Sequence, residues 1–325
     1  MNDHLKNIVL NVTDGRSIID KEIIQTLWSG YGEIVRLKLA DGKVDSVVVK
    51  SIVFPDEQQH PRGWNSERSH MRKVRSYDVE MYWYRQWSER CGDQCRVARC
   101  YAIYSNEQEH ALILEDLNSA GYSIRKSELN RQEVGLCLAW LANFHAAFIN
   151  ESPDGLWPIG SYWHLETRPD EWAAMEGGEL KEAASVIDSL LNNARYKTLI
   201  HGDAKVANFC FSKDGDVAVV DFQYVGGGCG MKDVAYLLGS CLSEKACERW
   251  QGELLDEYFL LLREALSTGN KNVDLDALER EWRRLFLLAW VDFYRFLLGW
   301  MPDHWKVNEY SRRMAKQVLD RLPAE

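Results

Sequence analysis

Basic charge is scarce in this chain. Lys and Arg number 39 against 49 Asp and Glu, a formal net charge of −10 over 325 residues. A general nucleic-acid binder carries a basic footprint, so nucleic acid is not an expected partner. Zinc spacing is also missing. The eight cysteines include a loose group at Cys91, Cys95 and Cys100 but no CxxC pair, which excludes a zinc module and a disulfide scaffold. Reduced, mostly buried thiols in a cytoplasmic protein are the expectation. The opening MNDHLKNIVLNVTDG lacks the basic start and apolar core of a signal peptide. The most apolar late run, LFLLAWVDFYRFLLGW, is short for a membrane span and contains Asp292 and Arg295. No membrane insertion is expected. There are no repeats and no low-complexity tract. What the chain does have is 46% hydrophobic residues, ample for a core.

The chain changes grain near residue 115. Before it, strands dominate: IVRLKLA (34–40) and VDSVVVKSIVF (44–54) flank Asp41-Gly42-Lys43, a hairpin turn signal. A polar stretch at 55–70 reads as a mobile loop. A helix is expected from about Val74 to Arg90, then strands at 97–104 and 110–117. After residue 117 helices prevail. Val134, Leu138, Leu141, His145 and Phe148 share one helical face. Trp282, Leu285, Phe286, Ala289, Phe293, Phe296, Leu297 and Trp300 share another. Between them, FCFSKDGDVAVVDFQ reads as two short strands turning at residues 213–216. The fold class expected is α+β: a small mostly-β lobe over residues 1–115, then a larger mostly-α lobe over 116–325.

The polar positions concentrate in LIHGDAKVANFCF, residues 199–211. Asp203-x-Lys205-x-x-Asn208, followed thirteen residues later by Asp221-Phe222-Gln223, suits phosphoryl transfer. That reaction needs an oriented hydroxyl, neutralised phosphate oxygens and a held Mg²⁺. Asp203 can accept the hydroxyl proton. Asn208 and Asp221 offer the hard oxygens that Mg²⁺ prefers. Lys205 has two readings, a phosphate contact or a surface charge.

His201, Gly202, Asp203, Asn208 and Asp221 match the H-G-D-x-x-x-x-N…D pattern, and on these residues the chain resembles the aminoglycoside phosphotransferase, choline kinase and ecdysteroid-kinase-like superfamily, relatives of protein kinases. The resemblance implies a two-lobed protein-kinase-like fold with a nucleotide-binding first lobe and a catalytic and substrate-binding second lobe. It implies ATP and Mg²⁺ as cofactors and a small-molecule alcohol as acceptor. It further implies that Lys50 reaches the nucleotide phosphates and that Glu80 holds Lys50. Gly30 and Gly32, in Ser29-Gly30-Tyr31-Gly32, fall where the phosphate-covering loop would be. Glu115, Asp116 and Leu117 fall at the hinge that offers backbone groups to adenine. LANFHA (141–146) and Lys232-Asp233-Val234-Ala235 resemble the family's flanking helices, so the likeness runs over roughly residues 27–240. Gln223 stands where protein kinases have Gly, and no A-P-E motif follows, so a small acceptor is implied rather than a protein.

Blander readings attach to several positions. Lys50 or Glu80 alone would be a solvated charge; their order around the loop favours function. His201 is expected to fix the loop through its ring, and His145 to be a satisfied core histidine. Asp233 is expected to cap a helix or anchor the scaffold. GGGCG (226–230) fails the G-x-G-x-x-G register at Met231 and Asp233, so its glycines are expected to permit a tight backbone path. The tryptophans of the second lobe, with Asp170, Glu171, Asp292 and Asp303 among them, could cage a quaternary amine or bound a flat alcohol, but helical spacing favours the core. Two other classes stand beside the kinase: a non-catalytic nucleotide-binding protein of the same fold, and a metal-dependent phosphohydrolase.

Overall fold

A computed structural model describes residues 2–27, 30–53, 67–106, 109–269 and 271–322. The chain resolves into two compact units. The first is built from Met1–Arg90, Val97–Ile124 and Cys210–Val220; the second from Cys91–Arg96, Arg125–Phe209 and Asp221–Glu325.

The first unit begins with a helix that the strand-rich reading missed, α1 (Asp3–Thr13). Its signal was Leu5, Ile8, Val9 and Val12 at three-to-four spacing behind an Asn2 cap, whose side chain accepts from the Leu5 amide at 2.8 Å. Strands β1 (Ser17–Thr26), β2 (Gly32–Ala40), β3 (Ser46–Val53), β4 (Cys100–Ser105) and β5 (Glu109–Glu115) form an antiparallel sheet in the order β1-β2-β3-β5-β4. The β2–β3 hairpin forms as expected, pairing Lys38 with Ser46, with Asp41 at φ 54° in the turn.

Strand alternation sorts β3 into two faces. Val47 and Val49 join Leu5 and Val9 of α1 in one core cluster. Ile52, on the opposite face, joins Tyr77 of helix α2 (Glu67–Gln86) in another. Lys50 shares that second face, which sends its side chain toward α2. The helix starts at Glu67 rather than Val74 and ends in a separate short turn at Ser88–Arg90. Residues 54–66, most of the expected polar loop, lie outside the described residues.

In the second unit the helices are α3 (Arg131–Ala147), α4 (Pro169–Ala174), α5 (Glu179–Glu182), α6 (Ala184–Asn192), α7 (Met231–Cys241), α8 (Glu244–Thr268), α9 (Leu275–Trp300) and α10 (Glu309–Leu319). Side chains start four of them. Asn130 and Glu133 make a reciprocal capping box on α3, while Ser243, Asp274 and Asn308 cap α8, α9 and α10. The apolar faces read for α3 and α9 are buried in the core, except that Trp300 at the end of α9 is half-buried. Most of the tryptophans are core too: Trp140, Trp163 and Trp282 are fully enclosed, whereas Trp172 and Trp305 are exposed. Short strands complete the chain: β6 (Thr198–Ile200), β7 (Phe209–Phe211), β8 (Val217–Val219) and β9 (Gly226–Gly228). Strand β9 pairs antiparallel with β6, and three of the glycines expected to permit a tight backbone path form it. Glycine is needed there for close approach: a Cβ on Gly226 would lie 2.2 Å from the Trp157 carbonyl oxygen.

Among the described residues no helix is long and apolar enough to cross a membrane.

Candidate active site

The polar loop leaves β6 at His201 and is held from beneath by one carboxylate. Asp233, in the first turn of α7, accepts from the His201 amide at 2.6 Å (Oδ2) and the Gly202 amide at 2.9 Å (Oδ1). The same Oδ2 meets His145 Nε2 at 3.2 Å, and His145 Nδ1 meets the Tyr258 hydroxyl at 2.8 Å. His145 is therefore the satisfied core histidine expected. Asp233 is the anchor rather than the cap, since Gly230 holds the N-cap position of α7. His201 also behaves as expected: its Nδ1 accepts from the Asp203 amide at 3.2 Å. Phe222 packs on the His201 ring at 4.7 Å between centroids.

Gly202 makes the bend. It holds φ +75°, and a Cβ there would sit 2.2 Å from the Tyr224 carbonyl oxygen. Gly202→Ala is expected to lower unfolding stability by about 2 kcal/mol or more, from the left-handed backbone alone. A denaturant melt matching wild type within a few tenths would contradict this placement of the loop.

Beyond Gly202 the loop turns its chemistry into one place. Asp203 Oδ2 accepts from Lys205 Nζ at 2.6 Å and Asn208 Nδ2 at 3.2 Å. Among the described residues, Asp203 Oδ1 is buried and meets no hydrogen-bond partner at normal bonding geometry. Asn208 spends its Nδ2 twice on Asp203, on the carboxylate and on the backbone oxygen at 2.8 Å, which leaves Oδ1 as its ligating atom. Burial pulls the Lys205 ammonium down, but the Asp203 and Asp221 carboxylates outweigh it and hold it above its usual range. Lys205 is thus a half-exposed cation whose ammonium is held by Asp203 beside the Asp221 charge.

Asp221 sits at φ +72°, a left-handed conformation that Asp tolerates better than most residues, and accepts from Gln223 Nε2 at 2.9 Å. Asp203, Lys205, Asn208 and Asp221 are brought together in the second unit. Two residues that sequence reasoning missed join them. Burial and then the Asp203 charge push the Tyr162 phenol up. Burial, Tyr162 and Asp203 do the same to Tyr236, whose hydroxyl donates to that of Tyr162 at 3.1 Å. Tyr236 lies three positions after Asp233 on the same face of α7, a spacing that could have flagged it; Tyr162 carries no such signal.

Asn208 Oδ1 and the Asp221 carboxylate are hard oxygens and suit Mg²⁺, which keeps several waters and phosphate oxygens as ligands. Among the described residues no group of three His, Cys, Asp or Glu would cage a metal without such help.

In the first unit, Lys50 Nζ and Glu80 Oε2 are 2.5 Å apart and both residues are buried. Lys50 also lies 5.7 Å from the Tyr77 ring centroid. Gly30, between β1 and β2, and Gly32, the first residue of β2, both hold positive φ; Ser29 lies outside the described residues. The Asp116 side chain is committed to structure, accepting from Arg36 Nε and Ser46 Oγ, each at 2.7 Å. Burial raises its carboxyl, yet these bonds hold it below the usual carboxylate range. The Glu115 amide donates to Arg99, and the Asp116 and Leu117 carbonyls accept from Ala120 and Tyr122.

A two-unit α+β chain with this loop has the protein-kinase-like fold of small-molecule kinases. The chain matches the phosphotransferase enzyme family over residues 70–268, more than half its length, and belongs to that family. Solved structures resemble it at low identity. An amicoumacin kinase in complex with AMP-PNP and Ca²⁺ is 13% identical, covering 99% of this chain and 95% of its own, with a TM-score of 0.58. A thermostable mutant of an aminoglycoside phosphotransferase, in a ternary complex with ADP and hygromycin B, is 11% identical, covering 97% and 98%, at 0.51. The choline kinase of Streptococcus pneumoniae is 12% identical, covering 98% of both chains, at 0.50. No curated protein sequence matches the chain.

Proposed function

We propose that this chain transfers the γ-phosphoryl group of ATP to a hydroxyl of a small molecule. Asp203 carries the reading: one carboxylate oxygen is clamped by Lys205 and Asn208, while the other is buried and, among the described residues, meets no partner at normal bonding geometry. A carboxylate fixed in this way can orient an alcohol and accept its proton as the oxygen attacks phosphorus. Lys205 balances the charge that gathers beside it. Asn208 and Asp221 hold Mg²⁺, which when bound neutralises phosphate oxygens. In the first unit, Lys50, steadied by Glu80, meets the nucleotide phosphates, Gly30 and Gly32 let backbone amides approach them, and the Leu117 amide meets adenine. The rate gain comes from positioning and charge neutralisation, since no covalent intermediate is required. None of the eight cysteines is in a disulfide, a state that suits the reducing, ATP-rich cytoplasm.

Calorimetry with AMP-PNP, with and without Mg²⁺, tests the reading before the acceptor is known. Mg²⁺ is expected to tighten binding, and Asp221→Asn to weaken the Mg²⁺-dependent part by at least about tenfold. Folded protein that binds neither ATP nor GTP analogues would sink the proposal. Cleavage of phosphate esters without nucleotide would favour the hydrolase.

A further inference from the structure

The second unit contains an aromatic box, and the protein's own cation already fills it. Lys306 Nζ lies 4.9 Å from the Tyr236 ring centroid, 5.2 Å from Phe293 and 5.5 Å from Trp305. Three π-faces around one ammonium are the arrangement that recognises cationic ligands. Here the occupant is tethered, so a free cation would have to displace a partner of very high effective concentration. Two of the acidic side chains that might have helped such a ligand are spent elsewhere. Asp292 pairs with Arg295 at 2.8 Å and accepts from Trp163 Nε1 at 3.0 Å, while Glu171 pairs with Arg168 at 2.9 Å.

Lys306 makes no ion pair among the described residues, although burying an ammonium is costly unless a counter-charge meets it. It borders a narrow cleft of about 20 Å³, room for little more than one water, with Leu297, Trp305, Asn308 and Glu244 on its walls. Glu244 is engaged by the Tyr310 amide at 3.1 Å. Lys306 also stands beside the candidate chemistry. The ring it covers, Tyr236, hydrogen-bonds to Tyr162 through its hydroxyl, and the Asp203 charge reaches both phenols and Lys306 itself.

We propose that Lys306 sets the charge of the acceptor: the alcohol phosphorylated here carries an anionic group that pairs with Lys306, and quaternary-ammonium and polyamine alcohols are excluded. This rests on the phosphotransfer reading. Burial pulls the Lys306 ammonium down to about 8, against the raising influence of Asp203 and with a lowering one from Lys205. The Cys241 thiol, pushed up to about 12 by burial, stays neutral through that range. Affinity for an anionic acceptor is therefore expected to be full below pH 8 and to fade above it, as Lys306 loses its proton.

Gluconate, glucose and glucosamine are polyhydroxy probes of similar size that differ in charge. Calorimetry on the full chain is expected to show gluconate binding at least about tenfold more tightly than glucosamine. Lys306→Met, which keeps the stem in the box, should erase that preference. Lys306→Ala, which vacates the box, should gain binding of tetramethylammonium. The inference is overturned if wild type prefers glucosamine, or if Lys306→Met leaves a gluconate preference intact. It is equally overturned if none of the three sugars binds and Lys306→Ala takes tetramethylammonium no better than wild type. AMP-PNP titrated in parallel separates the failures: protein that binds the nucleotide but shows no charge preference refutes only the role of Lys306, whereas loss of nucleotide binding refutes the phosphotransfer reading itself.

Discussion

Asp203→Asn is expected to lower kcat by about a thousandfold while AMP-PNP affinity changes by less than about threefold. A positioned general base contributes about 10²–10⁴-fold, and the substitution removes the proton acceptor while keeping side-chain shape. The split between kcat and affinity is what makes the test sharp. Asp203 is held by Lys205 and Asn208, so an isosteric amide leaves the loop's backbone bonds untouched. Single-turnover kinetics, once an acceptor is in hand, would read chemistry free of product release. A loss below about tenfold would mean that the alcohol's proton leaves by another route, and that Asp203 only positions the acceptor.

Much of this site could be read before any coordinates, because its chemistry is local in sequence. Asp203, Lys205 and Asn208 fall within six positions, and Asp221 follows after one hairpin. Lys50 was legible because alternation along β3 fixes its face. Glu80 required knowing which helix covers that face, and order along the chain happened to supply it. What stayed hidden depends on contacts distant in sequence. Tyr162 meets Tyr236 across 74 positions, and the Lys306 box draws on α7, α9 and the turn that follows. The cage idea failed at Asp292 for the same reason. An acid on an aromatic helix reads as a cation ligand until Arg295, one turn on, is seen to take it. Helix α1 was missed on other grounds: a short segment rich in Ile and Val resembles a strand unless its cap and spacing are weighed together.

Asp233 gives the prediction that best separates scaffold from chemistry. Two backbone amides and a buried imidazole converge on its carboxylate, all of them buried. Asp233→Ala strips the acceptor from the His201 and Gly202 amides together, and a buried donor left unsatisfied costs about 1–3 kcal/mol. A total loss of about 3–5 kcal/mol is expected, the range for breaking a buried, hydrogen-bonded charge. At about 2 °C per kcal/mol for a chain of this size, Tm should fall by roughly 6–10 °C. Asp233→Asn decides between the two readings of this position. As a helix cap, Asn would replace Asp at almost no cost. As a clamp it fails, because Asp233 accepts at both oxygens and the amide nitrogen of Asn would face a donor at one of them. Most of the alanine effect is therefore expected in Asp233→Asn, measured by thermal melt. The loop that carries Asp203 should loosen with it, so kcat should fall even below the melting transition. Should Asp233→Asn melt with wild type, the loop would be standing without its anchor, and the bend at Gly202 and the ring of His201 would have to hold Asp203 in place unaided.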